Sequence, residues 1–362
     1  MFERISILGK ALKDNGADVF LATHPITMGY LCGLFEDGHE RLLTLAIHSS
    51  GEYRLLCPAL TEAQARRVGL EEVVTHTDSD NAFDLIRDLA GDWNLKTAVV
   101  AVDAEMRADI LLGIQDVLPA ALFRPGQAIL AELMAVKSLD ELDLMQKSGA
   151  IADAAFQAVL PKLQAGMTES EVVSLLESEM TKRDGVPLFA IAATGAMGAE
   201  PHHRSDGTIL REGDVLILDF GCTYKGYCSD ITRTVAIGKA SEEAHKVYRT
   251  VWRAHEAARH AVKEGVSGAE IDRKARAVIE DAGMGRYFIH RTGHGIGMRA
   301  HEDPNIASSN NEPLVMGNCF SIEPGVYRPG EFGVRIENIY SVGRDGAVSM
   351  NEPPSEILIE VL

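Results

Sequence analysis

The sequence has no paired cysteine motif, no long apolar run and no excess of basic charge. Each absence removes a class of protein. The five cysteines (Cys32, Cys57, Cys222, Cys228 and Cys319) are scattered, odd in number and contain no CxxC pair. That spacing indicates neither a zinc finger nor a disulfide framework. Cys222 and Cys228 could face each other across a hairpin, but free buried thiols are the expectation. No uninterrupted apolar stretch approaches the roughly 20 residues needed to cross a bilayer. The start, Met1-Phe2-Glu3-Arg4-Ile5, reads as amphipathic rather than as a signal peptide. Lys and Arg total 35 against 53 Asp and Glu, a net charge of −18. Nucleic acid and anionic membrane both recruit basic patches, so neither is an expected partner. Reduced thiols and no export signal make the cytoplasm the expected compartment.

What remains is the composition of a globular enzyme. Of 362 residues, 46% are hydrophobic and 24% charged, ordinary values for a folded chain. The length buries a full core without staples and favours two domains over one. Residues 1–126 alternate helix-like and strand-like segments, an α/β pattern. Helices are read at 5–15 and 82–90, and strands at 17–21, 42–47, 53–56 and 97–102. Phe123-Arg124-Pro125-Gly126 marks a boundary, giving domains 1–126 and 127–362. Ser138 with Glu141 forms a capping box that opens a long helix through residue 159.

The chemistry lies in the second domain. Asp219 ends the apolar run Val215-Leu216-Ile217-Leu218, and Asp230 opens Ile231-Thr232-Arg233-Thr234-Val235. Both runs have strand composition, with a reversal at Thr223-Tyr224-Lys225-Gly226. A turn centred between Tyr224 and Lys225 sets the two aspartates directly opposite; a turn one residue later makes them diagonal. Either way their Cβ atoms stay within roughly 5–8 Å. Further on, Phe320-Ser321-Ile322-Glu323 and Val334-Arg335-Ile336-Glu337 flank a turn at Gly330, which sets Glu323 opposite Glu337. Facing like charges destabilise a strand pair, and buried carboxylates need a partner or a metal. With His294 between glycines in Gly293-His294-Gly295, the four acids read as one cation site. Arg335 lies two residues before Glu337, so a strand puts both on one face. The same alternation puts Thr232 on the face of Asp230, where it could hydrogen-bond that ligand.

A faint repeat runs through this domain. Gly166-Met167-Thr168 with Glu171-Val172 recurs 99 residues on as Gly265-Val266-Ser267 with Glu270-Ile271. Each copy has a helix running into glycine, a capping-box start to a second helix, and then strands. Two similar α+β halves with the site between them are the expectation.

Five stretches carry a family resemblance: Leu218-Asp219-Phe220-Gly221, Tyr227-Cys228-Ser229-Asp230-Ile231-Thr232-Arg233-Thr234, Thr292-Gly293-His294-Gly295-Ile296-Gly297, Ser321-Ile322-Glu323-Pro324-Gly325 and Gly333-Val334-Arg335-Ile336-Glu337. They resemble the metallopeptidases that include methionine aminopeptidase, aminopeptidase P and prolidase, over about residues 130 to 362. The first domain is more loosely similar to the creatinase/prolidase N-terminal domain, through Met28-Gly29-Tyr30-Leu31-Cys32-Gly33. The resemblance implies an α+β pita-bread catalytic domain with pseudo-twofold halves, preceded by a smaller α/β domain. It implies two divalent metal ions: Asp219 chelating one, Asp230 and Glu337 bridging both, His294 and Glu323 completing the other shell. The oxygen-rich donor set suits Mn²⁺ first, with Co²⁺, Fe²⁺ or Zn²⁺ as alternatives. A hydroxide bridging the ions would attack the scissile carbonyl, and Glu323 would relay its proton to the leaving nitrogen.

By the same resemblance, His202 and His301 hold the substrate carbonyl and the developing oxyanion, donors worth about 3–4 kcal/mol each. His203 would point the other way along an extended chain. Arg335 is implied at the metal ligands and the mouth of the site. Methionine aminopeptidases lack that arginine and usually lack a large N-terminal domain, which moves this chain to the proline-directed branch. The expected activity is cleavage of Xaa-Pro dipeptides or short peptides by a homodimeric Xaa-Pro dipeptidase. The alternatives are an aminopeptidase P acting on longer peptides, or a creatinase-like hydrolase of a small amide. One departure bears on substrate: in Gly195-Ala196-Met197-Gly198-Ala199-Glu200-Pro201-His202, Glu200 is unusual before Pro-His.

Overall fold

The computed structural model describes residues 3–361. Met1–Leu133 and Met134–Leu362 form two compact units. In the first, β1 (Val19–Ala22), β2 (Thr44–His48), β3 (Tyr53–Pro58), β4 (Val73–His76), β5 (Val99–Val102) and β6 (Leu122–Pro125) make one sheet, ordered β4-β3-β2-β1-β5-β6. Helices α1 (Glu3–Asp14), α2 (Pro25–Cys32), α3 (Glu62–Arg67), α4 (Phe83–Asp92) and α5 (Ala108–Val117) join the strands. Val19, Leu21 and Val100 of the sheet pack with Ile86 and Leu89 of α4 and with Ile110 and Ile114 of α5. The α/β pattern is therefore present. The segment read as a boundary, Phe123-Arg124-Pro125-Gly126, instead supplies β6, the sheet's edge. Pro125 has no amide to donate, which an edge strand tolerates.

After α6 (Gln127–Ala135) come α7 (Leu139–Val159), α8 (Glu169–Thr181), β7 (Val186–Thr194), β8 (Val215–Tyr224), β9 (Tyr227–Cys228) and β10 (Ile231–Ile237). Then α9 (Glu242–Ala261), α10 (Gly268–Asp281), β11 (Gly293–Gly295), β12 (Glu302–Ile306) and β13 (Cys319–Ile322) repeat the plan of two helices before a sheet. The chain ends with β14 (Gly325–Arg328), β15 (Phe332–Arg335), β16 (Asn338–Gly343), β17 (Gly346–Ser349) and β18 (Ile359–Val361). One sheet is ordered β18-β10-β8-β7, the other β12-β11-β13-β16-β17, and β14 and β15 form a separate ribbon.

The two halves repeat down to single hydrogen bonds. Ser138 and Thr168 each form a reciprocal capping box, with Glu141 and Glu171. Ser267 accepts from the amide of Glu270 in the matching place. Gly166 and Gly265 both have positive φ, and donate to Leu210 and Leu314 carbonyls at 2.9 and 2.8 Å. Leu210 and Leu314 answer by donating to Met167 and Val266. Each half buries its own core, one around Phe156, Leu176 and Phe220, the other around Val251, Ile271 and Phe320. These are the pseudo-twofold α+β halves of the expected fold.

The halves are joined beside the candidate site. Glu337 donates its amide to Thr232 at 3.1 Å, and the Thr234 hydroxyl donates to the Arg335 carbonyl at 2.7 Å. All five cysteines are buried and free, and Cys228 faces Thr223 rather than Cys222. Among the described residues no helix is long and apolar enough to cross a membrane.

Candidate metal centre

Strand register delivers the acids. Tyr224 pairs with Tyr227 and Asp219 with Thr232, so the first hairpin turns between Lys225 and Gly226. Both turn residues have positive φ, 49° and 86°, the conformation of a tight primed turn that matches strand twist. This is the later of the two expected turn positions, so Asp219 and Asp230 lie diagonally.

The second pair works differently from a plain hairpin. Gly325 pairs with Arg335 and Ile322 with Asn338, so the ribbon centred on Gly330 continues into β13 and β16 with a gap between. Glu323 and Glu337 occupy that gap. Pro324 cannot donate to a ladder. Glu323 instead donates its amide to Thr292, and Glu337 to Thr232. Breaking the ladder at the two glutamates frees both to turn toward the cavity.

His294 sits on a strand squeezed from both sides. A Cβ at Gly293 would lie 1.9 Å from the Ser321 carbonyl, and one at Gly295 2.3–2.5 Å from backbone atoms of Glu302 and Asp303. Only glycine fits at either place. His294 Nδ1 lies 3.0 Å from the Gly295 carbonyl. Donation there leaves Nε2 with its lone pair, 3.3 Å from Glu323 Oε1 and 3.7 Å from Asp230 Oδ2. Burial, then repulsion from His301, lowers the His294 pKa to about 3, which keeps the neutral, metal-binding form.

Ligand-type atoms of Asp230, His294 and Glu337 lie within 4.8 Å of one another, and all three residues are buried. Together with Asp219, Glu323, His202, His301 and Arg335 they line one cavity of about 630 Å³. Asp219 Oδ1, Asp230 Oδ1 and Glu337 Oε1 are buried and meet no hydrogen-bond donor among the described residues. An unpartnered buried charge costs several kcal/mol. Burial first, and then the neighbouring carboxylates, raises Asp230 and Glu337 well above the usual range. Burial also raises Glu323 from 4.5 to about 7. Against four carboxylates the cavity lining sets two guanidiniums, Arg291 and Arg335, and Arg335 Nη2 donates to Asp219 Oδ2 at 2.5 Å. Oxygen-rich, anionic and with orphaned acceptors facing one space, the set fits divalent cations.

The expected bond from Thr232 to Asp230 is not made. Thr232 Oγ1 donates to Glu337 Oε2 at 2.7 Å and accepts from Arg335 Nε at 3.0 Å. The backbone bridge between Thr232 and Glu337 brings that carboxylate closer than Asp230. The hydroxyl thus links one ligand candidate to Arg335 and through it to Asp219. His301 packs against His294 with ring centroids 4.0 Å apart and planes tilted by 48°. His202 is exposed and lines the cavity, and His203 is buried outside it; the two are separated by a turn closed from the His203 amide to the Glu200 carbonyl, not by the extended backbone expected. Glu200 is exposed and does not line the cavity.

Several contributors were missed in the sequence. Tyr327 Oη accepts from Arg335 Nη1 at 2.9 Å and lies 2.9 Å from His290 Nε2. Ser321 Oγ accepts from the His294 amide and donates to Glu323 at 3.0 Å. Its place two residues before Glu323 was a legible signal. Arg233 is buried behind the acids, donating to the Glu337 carbonyl at 2.6 Å and the Thr232 carbonyl at 3.1 Å.

Fold and site together define a metal-dependent hydrolase. The model of metallopeptidase family M24 matches residues 143–344, and that of the creatinase/prolidase N-terminal domain residues 4–136. The Xaa-Pro dipeptidase of Lactobacillus delbrueckii subsp. lactis is 34% identical over 96% of each chain. A dipeptidase from Pyrococcus horikoshii superposes with a TM-score of 0.94 at 35% identity, covering 99% of each chain. A prolidase from Thermococcus sibiricus gives 0.95 at 33% identity, over 99% of this chain and 98% of that one. The chain belongs to metallopeptidase family M24, and it is a peptidase.

The raised carboxyls tie stability to pH. Without metal, Asp230, Glu323 and Glu337 hold protons when folded that the unfolded chain has already lost. Stability conferred by that protonation is complete below about pH 4; the Glu323 share is lost as pH rises through about 7, and Asp230 and Glu337, raised in the same direction, add to the fall. The melting temperature of EDTA-treated protein is expected to fall from pH 5 to pH 8. The gain on adding Mn²⁺ should widen over the same interval. Asp230→Asn should flatten the metal-free slope and abolish hydrolysis. A level metal-free profile with no widening would contradict the assignment.

Proposed function

We propose that this peptidase is an Xaa-Pro dipeptidase using two divalent cations, Mn²⁺ first among them. The single observation that carries the reading is the orphaned oxygens of Asp219, Asp230 and Glu337 facing one cavity, in a chain similar end to end to an Xaa-Pro dipeptidase. Asp219, Asp230, His294, Glu323 and Glu337 would hold the ions, with Asp230 and Glu337 shared between them. When bound, such ions lower the pKa of water and polarise a carbonyl.

The chain's own groups do the rest. Glu323, held by the Ser321 hydroxyl at 3.0 Å, takes a proton from the attacking water and returns it to the departing proline nitrogen. His301, held neutral by burial and by repulsion from Arg291 and His202, donates a hydrogen bond to the oxyanion. His202 orients the substrate carbonyl from the rim. Arg335 fixes Asp219 while Thr232 fixes Glu337, so the two acids keep one geometry. Phe189, Ile191 and Ile289 give the cavity an apolar wall suited to a proline ring. The chemistry belongs to residues 127–362; residues 1–126 supply none of these groups. We also assign the enzyme to the cytoplasm as a homodimer, for which gel filtration should give about twice 39.2 kDa; elution at the single-chain mass would refute the dimer.

A panel of Ala-Pro, Leu-Pro, Xaa-Pro-Xaa tripeptides and Met-Ala-Ser with Mn²⁺ tests the reading. Hydrolysis confined to Xaa-Pro dipeptides is expected. Preference for the tripeptides means an aminopeptidase P, and no cleavage of any member means a creatinase-like amide hydrolase. His301→Ala should bind metal normally and lose kcat by about 100-fold or more. A change confined to KM would reduce its role to ground-state binding.

A further inference from the structure

The loop that carries His202 is fastened at both ends to one buried carboxylate. Glu169, the first residue of α8, is fully buried. Its Oε1 accepts from the Thr194 amide at 2.8 Å. Its Oε2 accepts from His203 Nε2 at 2.7 Å and from the Asp206 amide at 3.3 Å. Thr194 ends β7 and Asp206 begins the return, so a single side chain closes the 195–205 loop at its neck. A carboxylate at a helix N-terminus is favoured there by the helix dipole. Ser205 Oγ adds a second staple, accepting from the Ala192 amide at 2.8 Å and donating to its carbonyl at 2.9 Å.

His203 is the one side chain of the loop that reaches this carboxylate. His202 sits in a turn closed by the His203 amide, which donates to the Glu200 carbonyl at 3.0 Å. His203 is buried against Glu169, while exposed His202 lines the peptidase cavity. Anchoring His203 on Glu169 holds the turn from which His202 projects into the cavity. Ligand-type atoms of Glu169, His203 and Asp206 lie within 4.8 Å of one another. The oxygens of Glu169 already accept three hydrogen bonds, however, so this cluster is a clamp and not a cation site.

We propose that Glu169 and His203 are positioning residues that hold His202 at the substrate. The inference rests on the peptidase reading of the cavity. Misplacing a substrate-contacting group by about 1 Å can cost on the order of 100-fold. Releasing the clamp should therefore lower turnover without touching the metal centre.

The test is a double-mutant cycle on metal-loaded enzyme, with metal content and amide hydrogen exchange measured alongside. His203→Ala should lower kcat about 10- to 100-fold at unchanged metal content and faster exchange confined to residues 195–206. In a His202→Ala background, His203→Ala should lower kcat no further, because the group it positions is gone. His203→Gln, which still presents a donor, should recover most of the loss. Should His203→Ala fail to fold, Glu169→Gln, which keeps volume and one acceptor, serves the same cycle. Equal losses in both backgrounds would overturn the proposal, as would unchanged exchange in the loop. If the wild type cleaves no peptide, the peptidase reading fails. The clamp is then judged by exchange alone: acceleration limited to the loop supports it, and none refutes it.

Discussion

Four carboxylates crowd one cavity whose lining includes only two guanidiniums, Arg335 and Arg291, and that imbalance of charge governs the catalytic unit. Asp230 and Glu337 are raised by burial and by one another's neighbours. One oxygen of each, and one of Asp219, finds no hydrogen-bond donor among the described residues. A protein can keep such a cluster only by protonating it or by binding cations. The surrounding structure is arranged for the second outcome. His294 is kept neutral with one nitrogen free, and Arg335 and Thr232 fix two of the acids without satisfying all their oxygens.

The duplicated architecture explains how the acids meet. Each half has two helices over a sheet and a core of its own. Each sends a β-ribbon to the junction. The first keeps its ladder and offers two aspartates on a diagonal. The second breaks its ladder at Glu323 and Glu337 and lends their amides to the carbonyls of Thr292, just before β11, and of Thr232 in β10. The bridge from Thr232 to Glu337 couples the two ribbons. Arg233 anchors the backbone of that bridge from behind, and Tyr327 braces Arg335 in front. Precision at the site thus comes from strand ends and their carbonyls rather than from mobile surface groups.

Much of this was legible in the chain. Alternation within strands put Asp219, Asp230, Glu323 and Glu337 on facing ribbons, and Gly293-His294-Gly295 announced close backbone packing. The caps at Ser138, Thr168 and Ser267 marked three helix starts and the duplication. Other features left no periodic signal. The diagonal of the aspartates depended on Lys225 adopting positive φ, which its identity does not announce. The partner of Thr232 was misread because a strand pattern gives the face of a residue and not its distance to other sheets. Phe123-Arg124-Pro125 looked like a linker because proline and glycine punctuate loops, yet an edge strand accepts the same residues. The meeting of Glu169 with His203, 34 residues later, is a tertiary contact with no spacing rule behind it.

The central claim is that cations, and not protons, balance these acids in the working protein. Counting metal on purified enzyme after EDTA treatment, reloading with Mn²⁺ and desalting tests it most directly. The account predicts about two ions retained per chain, and a loss of at least one in Glu337→Gln. Retention of none, or an equal count in the variant, would contradict it.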